Sequence, residues 1–421
     1  MKKNVLIIGS PYKVIDNVDF EVFNVHVLID RFTYRSLSKV TLKCLESIKT
    51  FRGTLTPKFD YYTDCLTEID KLFSDLISEY GEFSAIIAPY EHATYTAGFL
   101  RSKYGIEGIS EETALICRDK FKMKEALKNT DVRVVPGIVV NSFSDIEKIK
   151  YEFKDYDGKI VMKPISSMGS KGVLIFGNLD ELLEYVANND IEERHLIESF
   201  ISAPVLHIDG IVRQGELKFF CPCLYLETCY AYEHENKALP SISLSDEQQI
   251  IASERLTRGV LEAIGLRDGV FHLEAFLLSD GSLIFLEIGC RAGGAHINDM
   301  YRETCGCDLF VESILADMQQ PSRIKDIDRS SWPGAQFTVG RIYTKTGTRE
   351  VSKVRGISGL DQIPNSVVFG ETRNIGSTIN SGFAMMKDHA SIFILKGESY
   401  SEILADLRAI EENFTIQLER A

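Results

Sequence analysis

The sequence predicts a mixed α/β protein in which an open parallel sheet comes first and a mainly antiparallel sheet follows. Strands and helices alternate through residues 1 to about 112, as is typical of parallel sheets. Further on, two apolar runs flank Asp280-Gly281, a dipeptide that strongly favours a tight hairpin turn. The chain has 421 residues, which is more than a single hydrophobic core usually includes, so we expect two or three domains.

The first region begins with a buried strand, Val5–Ile8, that ends at Gly9-Ser10. After it, strands are predicted at residues 22–28 and 85–88, with an amphipathic helix between them at residues 64–80. Ligands of parallel sheets bind beyond the carboxyl ends of the strands. Gly9-Ser10 and Pro89-Tyr90-Glu91 are therefore either the edge of a site or ordinary strand-to-helix turns.

A compact unit over residues 138–200 follows a predicted helix at residues 113–127. It contains predicted strands at residues 138–140, 160–163, 173–176 and 195–200, and predicted helices from residue 144 and at residues 180–188. The loop from Lys163 to Gly172 is rich in Ser and Gly, so its backbone N–H groups can approach phosphate oxygens. It lacks the ending of a P-loop and precedes a strand, so a plain hairpin loop explains it better when it is taken alone.

The hairpin around Asp280-Gly281 contains an informative pair of carboxylates. A two-residue turn there places Glu274 directly opposite Glu287, with Leu283 and Phe285 among the apolar residues on the same face. Covered carboxylates need a proton, a cation or a metal, and oxygen ligands suit Mg²⁺. The alternative is a frayed hairpin end at which both glutamates meet water.

Three cations accompany this pair along the chain. Lys120 lies on the helix before the compact unit, Lys163 ends a strand within it, and Arg291 follows Glu287 by four residues. Three cations and two metal-binding carboxylates are what a nucleoside triphosphate with magnesium requires. For each lysine alone, a solvated surface charge is the alternative interpretation. A strand-rich segment at residues 335–396 and a closing helix from Ser401 complete the chain.

Composition excludes several classes of protein. A net charge of −14 leaves no basic surplus for a nucleic-acid partner, although a small phosphate ligand needs only a local cluster. No apolar stretch approaches the roughly 18 residues of a membrane helix. Nine cysteines, an odd number, and an apolar run too short for a signal peptide indicate reduced thiols in the cytoplasm.

Five motifs, in order, resemble the ATP-grasp superfamily over roughly residues 80 to 400. They are Arg118-Asp-Lys120, Val161-Met-Lys-Pro164, Ile197-Glu-Ser-Phe-Ile201, His272-Leu-Glu274 and Glu287-Ile-Gly-Cys-Arg-Ala-Gly-Gly294. Within the superfamily the chain is most similar to carboxylate–amine ligases related to biotin carboxylase, in particular the L-amino acid ligases that make dipeptides. The resemblance implies an ATP-grasp fold: a pre-ATP-grasp α/β domain, a mobile lid subdomain and a larger metal-binding domain, at residues 1–112, 113–204 and 205–421.

The resemblance also assigns ATP and a metal to residues within these motifs. Glu274 and Glu287 would bind Mg²⁺ or Mn²⁺, and Arg291 would steady the transferred phosphoryl group. The nucleotide would be held by two sets of residues: Lys120, Lys163, Ser167, Gly169 and Ser170 around the phosphates, and Glu198, Ser199, Phe200 and Ile201 around adenine.

The implied reaction joins a small-molecule carboxylate to a small-molecule amine. The carboxylate attacks the γ-phosphate to give an acyl phosphate and ADP, and the amine then displaces phosphate. An amine tethered to a carrier protein and a non-catalytic ATP-binding regulator are the alternatives. A homodimer is expected because dimers are common among such proteins.

Two positions depart from the family pattern, and the substrate is unassigned. Where many relatives have an Asn as an extra metal ligand, this chain has Gly289, so coordination is thinner or water fills the gap. An acidic residue after the adenine strand is replaced by apolar residues near Val205. His296 is the first substrate candidate because it follows Gly293-Gly294, where the backbone can approach a ligand. His207, Glu91 and Arg349 are the others, and each is at least as readily structural.

Overall fold

The computed structural model describes residues 2–53, 61–189, 191, 193–324, 332–345, 351–379 and 389–420. Within these residues the strands form four sheets. A parallel sheet comes first and a large antiparallel sheet comes later, which confirms the predicted fold class. No helix in this described part of the chain combines the length and the apolar character needed to cross a bilayer.

The first sheet consists of four parallel strands in the order β3-β2-β1-β4. These are β1 Lys3–Ile8, β2 Phe23–Asp30, β3 Ser47–Phe51 and β4 Phe83–Ile87. Apolar clusters cover both faces, which is why the strands are continuous apolar runs rather than alternating ones. The helices of this region are α1 Arg31–Tyr34, α2 Lys39–Lys43, α3 Tyr61–Asp64, α4 Leu66–Tyr80 and α5 Glu91–Tyr104, with a 3₁₀ turn at Ile15–Asn17.

The single helix predicted at residues 113–127 is wrong, because the structure has two helices there. They are α6 Glu111–Ile116 and α7 Lys120–Leu127. The carboxylate of Asp119 accepts hydrogen bonds from the backbone N–H groups of Phe121 and Lys122, and so caps a new helix. The break makes Lys120 the first residue of α7.

The second sheet has four antiparallel strands in the order β5-β8-β6-β7. They are β5 Gly137–Val140, β6 Ile160–Pro164, β7 Leu174–Phe176 and β8 His195–Ser199. The helices α8 Ile146–Phe153 and α9 Leu179–Asn188 pack on one face through a common apolar cluster, and a 3₁₀ turn at Phe143–Asp145 precedes α8. On the opposite face, Val139 and Leu196 pack with Phe121 of α7, and other residues of the sheet border a cavity described below.

The third sheet has eight antiparallel strands, and a three-stranded sheet lies near the chain end. In the eight-stranded sheet the strands are β9 Val205–Arg213, β10 Glu216–Tyr225, β11 Leu239–Ser243, β12 Gly269–Leu277, β13 Leu283–Gly289, β14 Thr338–Lys345, β16 Val367–Thr372 and β18 His389–Gly397. In the three-stranded sheet they are β15 Ser352–Ser358, β17 Thr378–Ile379 and β19 Thr415–Arg420. The spatial order of the strands is β13-β12-β9-β10-β11-β14-β18-β16 in the eight-stranded sheet and β17-β15-β19 in the three-stranded sheet.

Five helices accompany these strands; the first four contribute to the largest apolar cluster of the described residues, and the last packs in a separate cluster. They are α10 Cys229–Glu235, α11 Glu247–Ile264, α12 Ile297–Cys305, α13 Leu309–Asp317 and α14 Tyr400–Asn413, and a 3₁₀ turn lies at Leu360–Gln362. Part of the strand-rich segment predicted at residues 335–396 lies outside the described residues.

The β12–β13 hairpin pairs Glu274 with Glu287, as predicted, but by a different route. Its turn is longer than two residues, since the backbone N–H of residue 278 donates to the carbonyl of Ser282. A bulge beside Glu274 then restores the predicted register. Leu283 and Phe285 consequently pack in the core cluster, so their predicted position on the glutamate face is wrong.

Candidate active site

A cavity of about 910 Å³ lies between the second and third sheets. Eleven of the residues that the sequence analysis proposed for nucleotide or metal line it: Lys120, Lys163, Ser167, Gly169, Ser170, Glu198, Ser199, Phe200, Ile201, Glu274 and Glu287. Arg291, proposed for the transferred phosphoryl group, is not among the lining residues. The eleven residues come from strands β6, β8, β12 and β13, from the first turn of α7 and from the Ser/Gly loop. The fold therefore brings together motifs spread over more than a third of the chain.

The two opposed glutamates each have a cation beside them. Lys120 Nζ lies 3.1 Å from Glu287 Oε2, and His272 Nε2 lies 3.5 Å from Glu274 Oε1. Burial alone would raise the pKa of Glu274, but the hydrogen bond and charge of His272 outweigh it and hold the pKa below its usual value. Glu274 is thus ready to act as an anionic ligand. The protein itself therefore supplies a cation beside each of the two opposed carboxylates.

A buried network behind Glu274 holds His272 in place. Asp209 accepts hydrogen bonds from Nδ1 of His207 at 2.7 Å, from Nδ1 of His272 at 2.8 Å and from the Tyr301 hydroxyl at 3.0 Å. Burial lowers the pKa of His272, but Asp209 outweighs this and raises it to about 9. Each imidazole contacts the carboxylate directly at hydrogen-bonding distance, so we interpret the cluster as a network rather than a metal centre.

We expect Asp209→Asn to lower the free energy of unfolding by about 3 kcal/mol, because it leaves buried histidine donors without their anion. Urea unfolding followed by circular dichroism would measure the change. Asp268→Asn is the matched control, since Asp268 is an ion-paired aspartate whose side chain is 34% exposed, and its loss should cost under about 1 kcal/mol. Equal effects of the two substitutions would contradict the network.

Glu198 lies between two buried lysines at the end of β8. One carboxylate oxygen contacts Lys163, and the other lies 2.9 Å from Lys124 Nζ, which also donates to the carbonyl of Val135 at 2.9 Å. Burial raises the pKa of Glu198, yet the two lysines lower it overall, so this carboxylate stays charged. Lys124 was missed by the sequence analysis, although it follows Lys120 by one helical turn.

The Ser/Gly loop is held over the cavity by its backbone carbonyls. Lys120 Nζ donates to the Ser167 carbonyl at 2.5 Å, and His234 Nε2 lies 3.1 Å from the Ser170 carbonyl. Gly169 and Ser170 both have left-handed backbone, with φ near +59°. The loop thereby turns sharply at the residues proposed to cover phosphates.

Arg291 and Glu91 form an ion pair beside the metal-ligand candidates. The Nε of Arg291 donates to Glu91 Oε2, and Arg118 Nη1 donates to Glu91 Oε1 at 2.5 Å. Burial would raise the pKa of Glu91, but Arg291 and then Arg118 lower it to about 2. Both oxygens of Glu91 are engaged by arginines, so its surroundings differ from those expected of a substrate contact.

The other substrate candidates have varied surroundings. His296 has left-handed backbone at the start of α12 and lies 2.7 Å from Asp299, with Tyr343 and His389 rings nearby. His207 is fully buried in the Asp209 network. A Cβ on Gly293 would come within 2.7 Å of Asp209, whereas one on Gly294 would meet nothing within 4 Å. Arg349 lies outside the described residues.

Arg341, on β14, is a further candidate that the sequence analysis missed. Its side chain is fully buried, and its guanidinium carbon lies 5.9 Å from the ring centre of Tyr225, which lines the cavity. In the part of the chain that the structure describes, none of its three guanidinium nitrogens has a hydrogen-bond partner. A buried cation of this kind requires an anion to balance it.

Comparisons with known proteins agree on what the chain is similar to. A model of the ATP-grasp domain matches residues 117–295. The chain is 28% identical to an L-arginine-specific L-amino acid ligase of Bacillus subtilis, over 66% of this chain and 68% of that one. It superposes on an L-amino acid ligase from Bacillus licheniformis with a TM-score of 0.70 and 17% identity, covering 100% of this chain and 99% of that one.

A second solved structure includes a nucleotide and metal. The biotin carboxylase domain of a Hydrogenobacter thermophilus 2-oxoglutarate carboxylase, a dimer with MgADP, ADP and bicarbonate, matches with a TM-score of 0.67 and 16% identity. The match covers 99% of this chain and 91% of that one. These likenesses confirm the ATP-grasp fold and the resemblance to L-amino acid ligases that the motifs predicted.

Proposed function

From the premise that residues 117–295 form an ATP-grasp domain, we propose that the protein is an ATP-dependent ligase that forms an amide bond between amino-acid-like substrates. The observation that carries the proposal is the cavity between the second and third sheets. It unites two lysines, a Ser/Gly loop and an opposed pair of carboxylates. Phosphoryl transfer requires chiefly positioning and charge neutralisation, and these residue types supply both.

The proposed reaction has two steps, phosphoryl transfer to the carboxylate and amide formation. A carboxylate oxygen attacks the γ-phosphorus of ATP, the bond to the ADP oxygen breaks, and an acyl phosphate forms. The amine nitrogen then attacks the carbonyl carbon, phosphate leaves with the electron pair of the C–O bond, and the nitrogen loses a proton. In this scheme Lys120 and Lys163 contact phosphate oxygens, and Arg291 faces the transferred group.

Glu274 and Glu287 fit a magnesium ion. Both offer carboxylate oxygens to the same cavity, and Glu287 retains a side-chain exposure of 26% there. When bound, Mg²⁺ would neutralise charge on the phosphate oxygens. Lys120 and His272 each lie beside one of the two carboxylates and partly neutralise its negative charge. Glu198 and the backbone of Ser199 to Ile201 complete the adenine end of the cavity.

Arg341 is proposed to bind the carboxylate substrate, because it is a buried guanidinium beside the cavity wall formed by Tyr225. We expect Arg341→Met to raise the KM for that substrate about 100-fold, the equivalent of losing a charge-assisted hydrogen bond pair. Methionine replaces an unpaired buried charge, so folding should be preserved. ADP affinity, measured by isothermal titration calorimetry, should be unchanged. A variant with unaltered KM would contradict this assignment.

The test of the function is ADP and phosphate release from protein, ATP, Mg²⁺ and pairs of amino acids. We expect release that depends on one particular carboxylate and increases with an amine, together with a new amide product detected by mass spectrometry. Absence of amino-acid-stimulated ADP release over all pairs would favour a non-catalytic ATP-binding protein.

Amino-acid-like substrates can reach the cavity by diffusion from solution, so we propose free small molecules as the partners. All nine cysteines are free thiols, which supports a reducing compartment such as the cytoplasm. A homodimer is proposed as well, and light scattering at several protein concentrations would test it.

A further inference from the structure

The Glu91–Arg291 ion pair connects the first domain to the chemistry of the third sheet. Glu91 is the first residue of α5, beyond the carboxyl end of β4 in the parallel sheet. Arg291 lies two residues past the end of β13, which carries Glu287. Two parts of the molecule, 200 residues apart in sequence, therefore meet at this contact.

We propose that Glu91 is a positioning residue that holds the Arg291 guanidinium in its catalytic orientation, and that Gly289 provides the space for this contact. The inference rests on the proposed function. An arginine has several rotatable bonds, and a hydrogen bond to Nε fixes the plane of its guanidinium before substrate arrives. Among the described residues, the Nη groups have one hydrogen bond, from Nη1 to the Ala292 carbonyl at 3.0 Å, so their other N–H groups are available for a transferred phosphoryl group.

Gly289 supports this role through its surroundings. A Cβ at this position would lie 3.5 Å from Glu91 Oε2 and 3.6 Å from Arg291 Nε. A methyl group would thus be in ordinary van der Waals contact with the ion pair, and a longer side chain would start from a Cβ whose nearest neighbours belong to that pair. The sequence analysis interpreted the absence of a larger residue here as thinner metal coordination or as a gap filled by water, and in the structure it leaves room for Glu91.

Arg118 gives Glu91 a second connection. It donates to Glu91 Oε1 and, through Nη2, to the Ser166 carbonyl at 3.2 Å, in the Ser/Gly loop. Arg118 also directly precedes Asp119, the cap of the helix that begins with Lys120. Glu91 therefore aligns Arg291 with the same segment that presents Lys120 and the loop to the cavity.

The alternative role for Glu91 is to hold the first domain in place, and the chain offers a matched control for it. Arg101, on the same helix as Glu91, forms a buried ion pair with Asp317 at 2.5 Å. Asp317 also accepts the backbone N–H of Ala88 at 2.9 Å. This pair joins the first domain to α13 without touching Arg291.

The experiment compares Glu91→Gln, Glu91→Asp and Asp317→Asn in the full chain. We expect Glu91→Gln to reduce kcat about 100-fold while the Kd for MgADP, which lacks the transferred group, changes less than about 3-fold. Glu91→Asp, which keeps the charge at shorter reach, should be intermediate. Asp317→Asn should lower the Tm yet keep kcat within about 2-fold of wild type. Equal kcat losses in Glu91→Gln and Asp317→Asn would overturn the proposal.

Substitutions at Gly289 provide an independent measurement. Gly289→Ala should be nearly neutral, whereas Gly289→Leu, which adds bulk but no metal-binding atom, should lower kcat like Glu91→Gln without changing the Kd for MgADP. A Gly289→Leu variant with wild-type kcat would overturn the spatial argument. Wild-type protein without amino-acid-stimulated ADP release would instead refute the proposed function, so the two failures are distinguishable.

Discussion

Replacing Glu287 by alanine is expected to reduce ADP release at least about 1,000-fold, since the change removes several kcal/mol of charge stabilisation. One of two opposed carboxylates is lost from the cavity, and Lys120 loses the partner that lies 3.1 Å from its ammonium. A metal held by Glu274 alone would be weakly and variably placed against the phosphates. Steady-state ADP release with saturating ATP and Mg²⁺ measures the effect.

Calorimetry separates the metal role from general damage. The Glu287→Ala variant should bind metal-free ADP nearly as wild type does, but should lose the increase in affinity that Mg²⁺ provides. Glu303→Ala is a suitable control, because Glu303 is a partly exposed glutamate that pairs with Arg302 outside the cavity. Near-normal turnover in the Glu287 variant would refute the metal assignment.

Arg291→Met is expected to lower kcat about 100- to 1,000-fold, the usual effect of removing one group that stabilises transition-state charge. The Kd for MgADP should change less than about 3-fold, because Arg291 is proposed to contact only the transferred phosphoryl group. Methionine retains much of the apolar stem, so packing losses are small.

The matched control for Arg291 is Arg302→Met, which removes a cation from the exposed side of α12. Arg302 pairs with Asp299 and Glu303 and is 37% exposed. We expect it to leave kcat within about 2-fold of wild type. Parallel losses of kcat and MgADP affinity in the Arg291 variant would assign that residue to ground-state binding instead.

The hairpin shows how a correct contact can follow from incomplete local rules. Asp280-Gly281 indicated a turn, and the Glu274–Glu287 pair follows from it, but the actual turn is longer and a bulge compensates. Bulges depend on how the sheet packs around the cavity, which a dipeptide preference does not encode. The apolar residues beyond the bulge were therefore assigned to the wrong face.

Three buried charges of the site escaped the sequence analysis for a common reason. Lys124, Asp209 and Arg341 lie in segments whose period resembles an ordinary helix or strand, and each looks like an isolated charge. Their importance comes from partners that are distant in sequence, such as Glu198 for Lys124 and His272 for Asp209. Only Lys124, one helical turn after Lys120, offered a local indication.

The sequence alone determined the fold class, because strand and helix alternation and turn residues follow from apolar periodicity and local preferences. Its motifs, through their resemblance to the ATP-grasp superfamily, identified eleven residues that line the cavity. Only the tertiary structure decided which charges balance one another. It placed Glu91 on two arginines, Glu198 between two lysines and Asp209 between two histidines. Such pairings arise where separate sheets meet, and electrostatic energy there depends on distance and burial rather than on separation along the chain.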